Sequence, residues 1–292
     1  MKTNYLGFSP KIGLLALASL ALALAAHGQE NTAEVDPPQA SLQDTQTAAP
    51  VEPAPGKILN NFLESGSSYE TLSNGFGYWA GGYVRAVASQ GKNTWNAEIN
   101  GQREFGDAGV YGAAGDTYTF NSDWYGALTL GSSVGGFFWP RLRVDSFLNR
   151  KWAARKQFIT TLGVGYDVAK DVHRDHTAFI GTAYYFDGPW IVEDGVHFNV
   201  SNPGTAFSAS GFVAVTQGRN KQHYLTLNVG FGQEAYQLIG PTTVLSRFPS
   251  QTASVTWRQW LGKNWGFNFV TDFYHSPFYR RGGGSFGFFR DF

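Results

Sequence analysis

The stretch Ser285-Phe286-Gly287-Phe288-Phe289-Arg290-Asp291-Phe292 decides how this chain is read. Phe286, Phe288 and Phe292 share one parity, and Arg290 interrupts the row near its edge. Side chains alternate between the two faces of a β-strand, so the three rings point the same way. A water-soluble domain seldom leaves such a row uncovered at a frayed end. A strand with one face against hydrocarbon would use it, with the last ring at the membrane–water boundary where aromatic side chains concentrate.

The same alternation recurs upstream. Trp95, Ala97, Ile99 and Phe105 oppose Glu98, Asn100, Gln102 and Glu104, and Leu142, Val144 and Leu148 oppose Arg141, Arg143 and Asp145. Val196, Phe198 and Val200 oppose His197, Asn199 and Ser201. Val255 and Trp257 oppose Arg258, and Phe267, Phe269 and Phe273 oppose Asn268 and Asp272. No segment of helical period separates these runs. A periplasmic sugar-binding β-sandwich would also alternate and stays open as an alternative. Two details favour the membrane. Aromatics collect at segment ends, as interfacial girdles require, and charges keep to the polar parity, where a lipid-facing one would cost about 2–4 kcal/mol near the midplane.

The expected fold is all-β: a transmembrane antiparallel up-and-down β-barrel of about 12–14 strands, since hydrocarbon cannot solvate an open sheet edge. Counting back from Phe292 leaves an odd number of clear runs, and residues 69–73 supply the strand that makes it even. Tight breaks fall at 90–93, 121–123, 153–156, 187–189, 218–221 and 261–264. Longer ones at 131–140, 169–175, 234–250 and 276–284 predict short periplasmic turns and longer outer loops.

Composition narrows the function. The chain has 292 residues, 22 basic against 22 acidic, and no cysteine. A neutral balance offers no basic face for nucleic acid. The lack of cysteine excludes disulfides, thiolate metal sites, a cysteine nucleophile and lipoprotein acylation. Lys2 and Lys11, an apolar run at 12–26 and Ala26-His27-Gly28 read as a signal peptide over residues 1–28. Residues 29–66 are expected to be a disordered Pro/Ala/Thr-rich periplasmic leader and 67–292 the barrel, placed in the cell outer membrane.

Within that barrel, Glu98, Asn100, Gln102, Glu104, Arg141, Arg143, Asp145, His197, Arg258 and Asp272 are expected to face the lumen. They could pair across it or line a water pore with both signs. With acids and bases balanced, a narrow lumen is the expectation. The fragment His197-Phe-Asn199-Val-Ser201-Asn202 resembles the His-x-Ser-Asn site of outer-membrane phospholipase A with two residues inserted. The alternative function is therefore a lipid-modifying hydrolase using His197 and Ser201. Yet i and i+4 on a strand stand roughly 13 Å apart, far beyond a nucleophile–base hydrogen bond. A polar lumen wall is preferred, and no enzyme activity or cofactor is expected. His173-Arg-Asp175-His176 has metal-ligand chemistry, but a solvated outer loop is the preferred reading.

The aromatic row Phe286, Phe288 and Phe292 is similar to the terminal signal by which outer-membrane barrels are recognised, which implies outer-membrane lipid and the barrel assembly machinery as partners. Residues 67–292 resemble the YaiO family of outer-membrane β-barrels. The resemblance rests on Tyr69, Ser73-Asn74-Gly75, Trp79, Arg103-Glu104-Phe105-Gly106-Asp107, Tyr118, Phe137-Phe138-Trp139-Pro140 and the closing aromatic strand. Trp139 departs from the family's contiguous aromatic–aromatic–proline element. The resemblance implies a non-enzymatic barrel assisting passage or export of a solute or polysaccharide, with an envelope polysaccharide system as a further partner.

Overall fold

Alternation at period two builds strands, and the strands here close on themselves. A computed structural model describes residues 61–240 and 244–292; the expected signal peptide and most of the expected leader lie outside the described residues. The wall begins with β1 (Phe62–Leu72), β2 (Tyr78–Gln90), β3 (Asn93–Glu104), β4 (Asp107–Thr119), β5 (Trp124–Gly135), β6 (Leu142–Trp152) and β7 (Phe158–Val168). It continues with β8 (Arg174–Tyr185), β9 (Trp190–Asn202), β10 (Ala206–Arg219), β11 (His223–Leu238), β12 (Val244–Trp260), β13 (Trp265–His275) and β14 (Arg280–Asp291). Each strand is antiparallel to its sequence neighbours, and β14 pairs with β1 from Phe62↔Asp291 to Leu72↔Arg281. Closure gives every strand of the wall a partner on both sides, the condition for crossing hydrocarbon with strands.

Two expectations are corrected. The wall starts at Phe62, so residues 62–66, expected in the leader, belong to β1, and residues 69–73 are only its far part. The breaks expected to be long are shortened by strand: β5 runs to Gly135, β8 begins at Arg174, β11 runs to Leu238 with β12 beginning at Val244, and β14 begins at Arg280. Gly131, Pro249 and Gly282 look like breakers in isolation, yet the first and last pair within ladders and Pro249 sits opposite Gln233. Cross-strand context overrides local propensity there. Connections are therefore short at both ends, and the loop contrast does not orient the barrel.

One contact sets the facing of every side chain. Arg258 on β12 bonds Glu64 on β1 although β13 and β14 lie between, a reach possible only across the hollow side. From Glu64 the register runs through Arg85, Glu98, Ala113, Gly131, Arg143, Asp167, Asp175 and Ser201, so all of these point inward. The opposite parity carries exposed Ile99, Leu128, Leu130, Leu148, Leu162, Val164 and Ile180 around the waist. Trp95, Trp124, Trp152, Trp190 and Trp265 ring the end where β1 begins and β14 finishes, called here the terminal end. Phe286 and Phe288 stand exposed in that outer face, while Phe289 turns inward and is buried.

Candidate functional site

The lumen is organised in three levels. At the terminal end Arg258 lies 3.0 Å from Glu64, 3.9 Å from Asp291 and 3.5 Å over the Phe289 ring. Tyr83 donates to Glu64 at 3.1 Å and Asn268 at 2.6 Å, while Trp260 and Lys221 donate to Asp291. At mid-height Arg85 pairs with Glu98 at 3.3 Å, and Arg143 with Asp145 at 2.6 Å and Asp167 at 3.9 Å. Beside them Phe179, His197 and Phe212 form a three-ring cluster, with Phe179 4.4 Å from His197 and 6.4 Å from Phe212, and His197 6.3 Å from Phe212. That shelf requires glycine beneath it, because a Cβ on Gly195 would come within 2.8 Å of both phenyl rings. A water-sized space remains between Arg143, Asp145, Thr177, Phe179 and His197. Farther up, Arg281 forms an ion pair with Glu70 at 2.8 Å and faces Asp272 at 3.7 Å, with Glu104 on the same inner surface.

Above these ions the far end is capped. Trp79, Phe105, Tyr274 and Tyr279 pack together, with Trp79–Phe105 at 5.2 Å and Tyr274–Tyr279 at 5.2 Å. Phe105 holds a left-handed φ of 47° in the two-residue turn to β4, a conformation that disfavours a bulky side chain and is stabilised here by packing. The β11–β12 hairpin supplies the rest. Its outer part, beyond Gly232 and Ser250, has left the ladders with β10 and β13, and the pairing skips Ala235 opposite Arg247, whose φ is 48°. Bent there, it places Ala235 and Leu238 against Ala206 and Phe137. It also sets Leu245 and Phe248 among the cap rings. Gln237 Nε2 donates to Tyr279 Oη at 2.6 Å. Trp139 stacks on Tyr111 at 5.0 Å from the β5–β6 connection.

Of the residues expected at the lumen, Glu98, Asn100, Gln102, Glu104, Arg143, Asp145, His197, Arg258 and Asp272 lie on the inner face. Arg141 does not: it precedes β6, is exposed at the far rim, and contributes a backbone bond to Val168. The expected balance of charge also fails. Beyond those acids the inner face carries, among the described residues, Glu64, Glu70, Asp167, Asp175, Glu193, Glu234 and Asp291 against Arg85, Arg143, Lys151, Arg258 and Arg281. Outward strand positions hold Arg103, Arg150, Arg174, Arg219, Arg280 and Arg290 against Asp116 and Asp194. Neutral overall, the chain sorts its charge by face. Arg281 and Asp291 were legible as the parity opposite Phe286 and Phe288; Glu64 was hidden by its assignment to the leader.

The structure does not bring His197 and Ser201 together. Ser201 is fully buried, donates to Asp175 and accepts from Asn199 at 3.2 Å. The His173-to-His176 fragment is no solvated loop either. His173 is buried with Nδ1 2.8 Å from Asp171, whereas His176 points outward beside Tyr166 at 5.0 Å, so their rings diverge.

Residues 60–237 match the model of the YaiO membrane beta barrel domain. No curated protein matches. Among solved structures, the CymD monoaromatic hydrocarbon channel superposes with a TM-score of 0.56 at 7% identity, over 80% of this chain and 89% of its own. Omp33 of Acinetobacter baumannii gives 0.50 at 10% identity, over 81% and 100%. The P. putida toluene transporter TodX gives 0.50 at 10%, over 80% and 90%. At these identities the likeness is one of fold.

Proposed function

The chain belongs to the YaiO membrane β-barrel family, and on that premise we propose a capped, non-enzymatic outer-membrane conduit that favours small cationic or uncharged polar solutes over anions. One observation carries this reading: carboxylates dominate the inner wall while arginines dominate the outer one. Fixed charge of one sign in a low-dielectric bore raises the local concentration of the opposite sign. CymD and TodX are described as a hydrocarbon channel and a toluene transporter, and an ion-lined wall such as this one suits a different cargo. The cap over Arg281, Glu70 and Glu104 supports a conduit that is shut at rest, with the bent hairpin as its movable part.

Conductance in planar bilayers under a salt gradient tests it. The expected wild-type current is small and cation-preferring. Joining Glu234 to Phe248, which face each other in register, through a two-residue Asn-Gly turn removes the hairpin tip and raises conductance. Glu98→Gln in that background weakens the cation preference, because it removes a carboxylate from the inner wall. Anion preference, or no current after the tip is removed, would refute the proposal.

A further inference from the structure

Trp124, Arg150 and Trp152 stand in one row on the outer wall at the terminal end. Arg150 is directly opposite Trp124 in the β5–β6 register and two positions from Trp152. Its guanidinium carbon lies 3.5 Å over the Trp152 ring and 5.1 Å from the Trp124 centroid. Trp152 is itself held by a 2.9 Å bond from Nε1 to Thr160. Two indole faces thus fix an arginine that makes no salt bridge with any carboxylate among the described residues. The acid in the adjoining turn, Asp123, is engaged by Lys156 at 2.7 Å and by Ser122. The outward acids elsewhere are also occupied: Asn93 donates to Asp116 and Thr182 to Asp194.

An arginine held between tryptophans keeps its planar fork of N–H donors, the geometry that matches a phosphate bidentately. The Trp rows put this fork at the boundary of the apolar waist, the depth of lipid headgroups, where an outward cation carries little penalty. We propose that Trp124, Arg150 and Trp152 bind the phosphate of an anionic phospholipid in the leaflet at the terminal end. The excess of outward arginines over outward acids supplies the charge complementarity. The inference rests on the barrel lying in a bilayer, not on whether it conducts.

The experiment is native mass spectrometry of the refolded full chain released from mixed phosphatidylglycerol–phosphatidylcholine micelles, with heat-modifiable gel mobility as the folding control. Wild type is expected to retain phosphatidylglycerol about fivefold over phosphatidylcholine, near the contribution of one interfacial cation. Arg150→Gln should abolish that preference, and Arg150→Lys, which keeps the charge but not the fork, should keep part of it. Trp124→Leu, which leaves Arg150 in place, should reduce it and serves if Arg150→Gln does not fold. Added inorganic phosphate should not displace the lipid; displacement would make this a free-phosphate site and overturn the lipid assignment. An unchanged preference in folded Arg150→Gln, or in Trp124→Leu, would overturn the site.

Discussion

Replacing Arg258 with alanine withdraws the cation from the most crowded polar group in the barrel. Glu64 and Asp291 both lean on it, and their side chains are only 4% and 5% exposed. Removing one partner of a buried pair costs about 3–5 kcal/mol, because the charge left behind keeps its desolvation penalty. Here Glu64 retains donors from Tyr83 and Asn268, and Asp291 retains Trp260 and Lys221, which argues for the lower end of that range. The lost contact over Phe289 adds roughly 1 kcal/mol. Arg258→Ala is therefore expected to destabilise the barrel by about 4 kcal/mol. The assay is urea unfolding of the protein refolded in lipid vesicles, followed by tryptophan fluorescence and gel mobility. Adding Glu64→Gln should recover part of the loss, since a neutral amide leaves less buried charge uncompensated, and a double-mutant cycle isolates the coupling. A loss below about 1 kcal/mol, or strict additivity in the cycle, would refute the claim that these groups act as one buried unit.

Gly195→Val should destabilise by about 1–3 kcal/mol through overpacking against Phe179 and Phe212, read in the same urea titration; a neutral result would mean the shelf can move. Gln237→Ala should raise single-channel conductance by freeing the hairpin from Tyr279, and an unchanged trace would place the gate elsewhere. Burial pushes the Tyr279 phenol above the ordinary tyrosine range, with Glu234 and Glu104 adding to the shift and Arg281 and the Gln237 bond opposing it. A raised folded-state value means this contribution is fully present below the unfolded value of about 10 and is lost as pH rises toward the folded one. Conductance should accordingly climb in strongly alkaline buffer for wild type and stay flat for Tyr279→Phe; equal responses would separate the phenol from the cap.

Much of this protein is legible in its sequence because a strand repeats every two residues. Alternation along Trp95 to Glu104 determines that Ile99 and Glu98 occupy opposite faces, and the closing aromatic row determines that Phe286 and Phe288 look outward. Once hydrocarbon is taken as the outer solvent, those parities also determine a closed wall. Parity names a face, however, not a neighbour. That Arg258 meets Glu64 depends on the stagger accumulated around every strand of the barrel, which no local pattern encodes. The cap is further removed still. Phe105, Phe137 and Tyr279 come from connections and Leu238 from the last position of β11, all spread along the chain, and only closure of the wall brings them to one mouth. Arg141 fails the parity reading because β6 begins at Leu142, one residue after it. The sorting of acids inward and arginines outward needed both levels: alternation supplied the two faces, and the register decided which of them was the lumen.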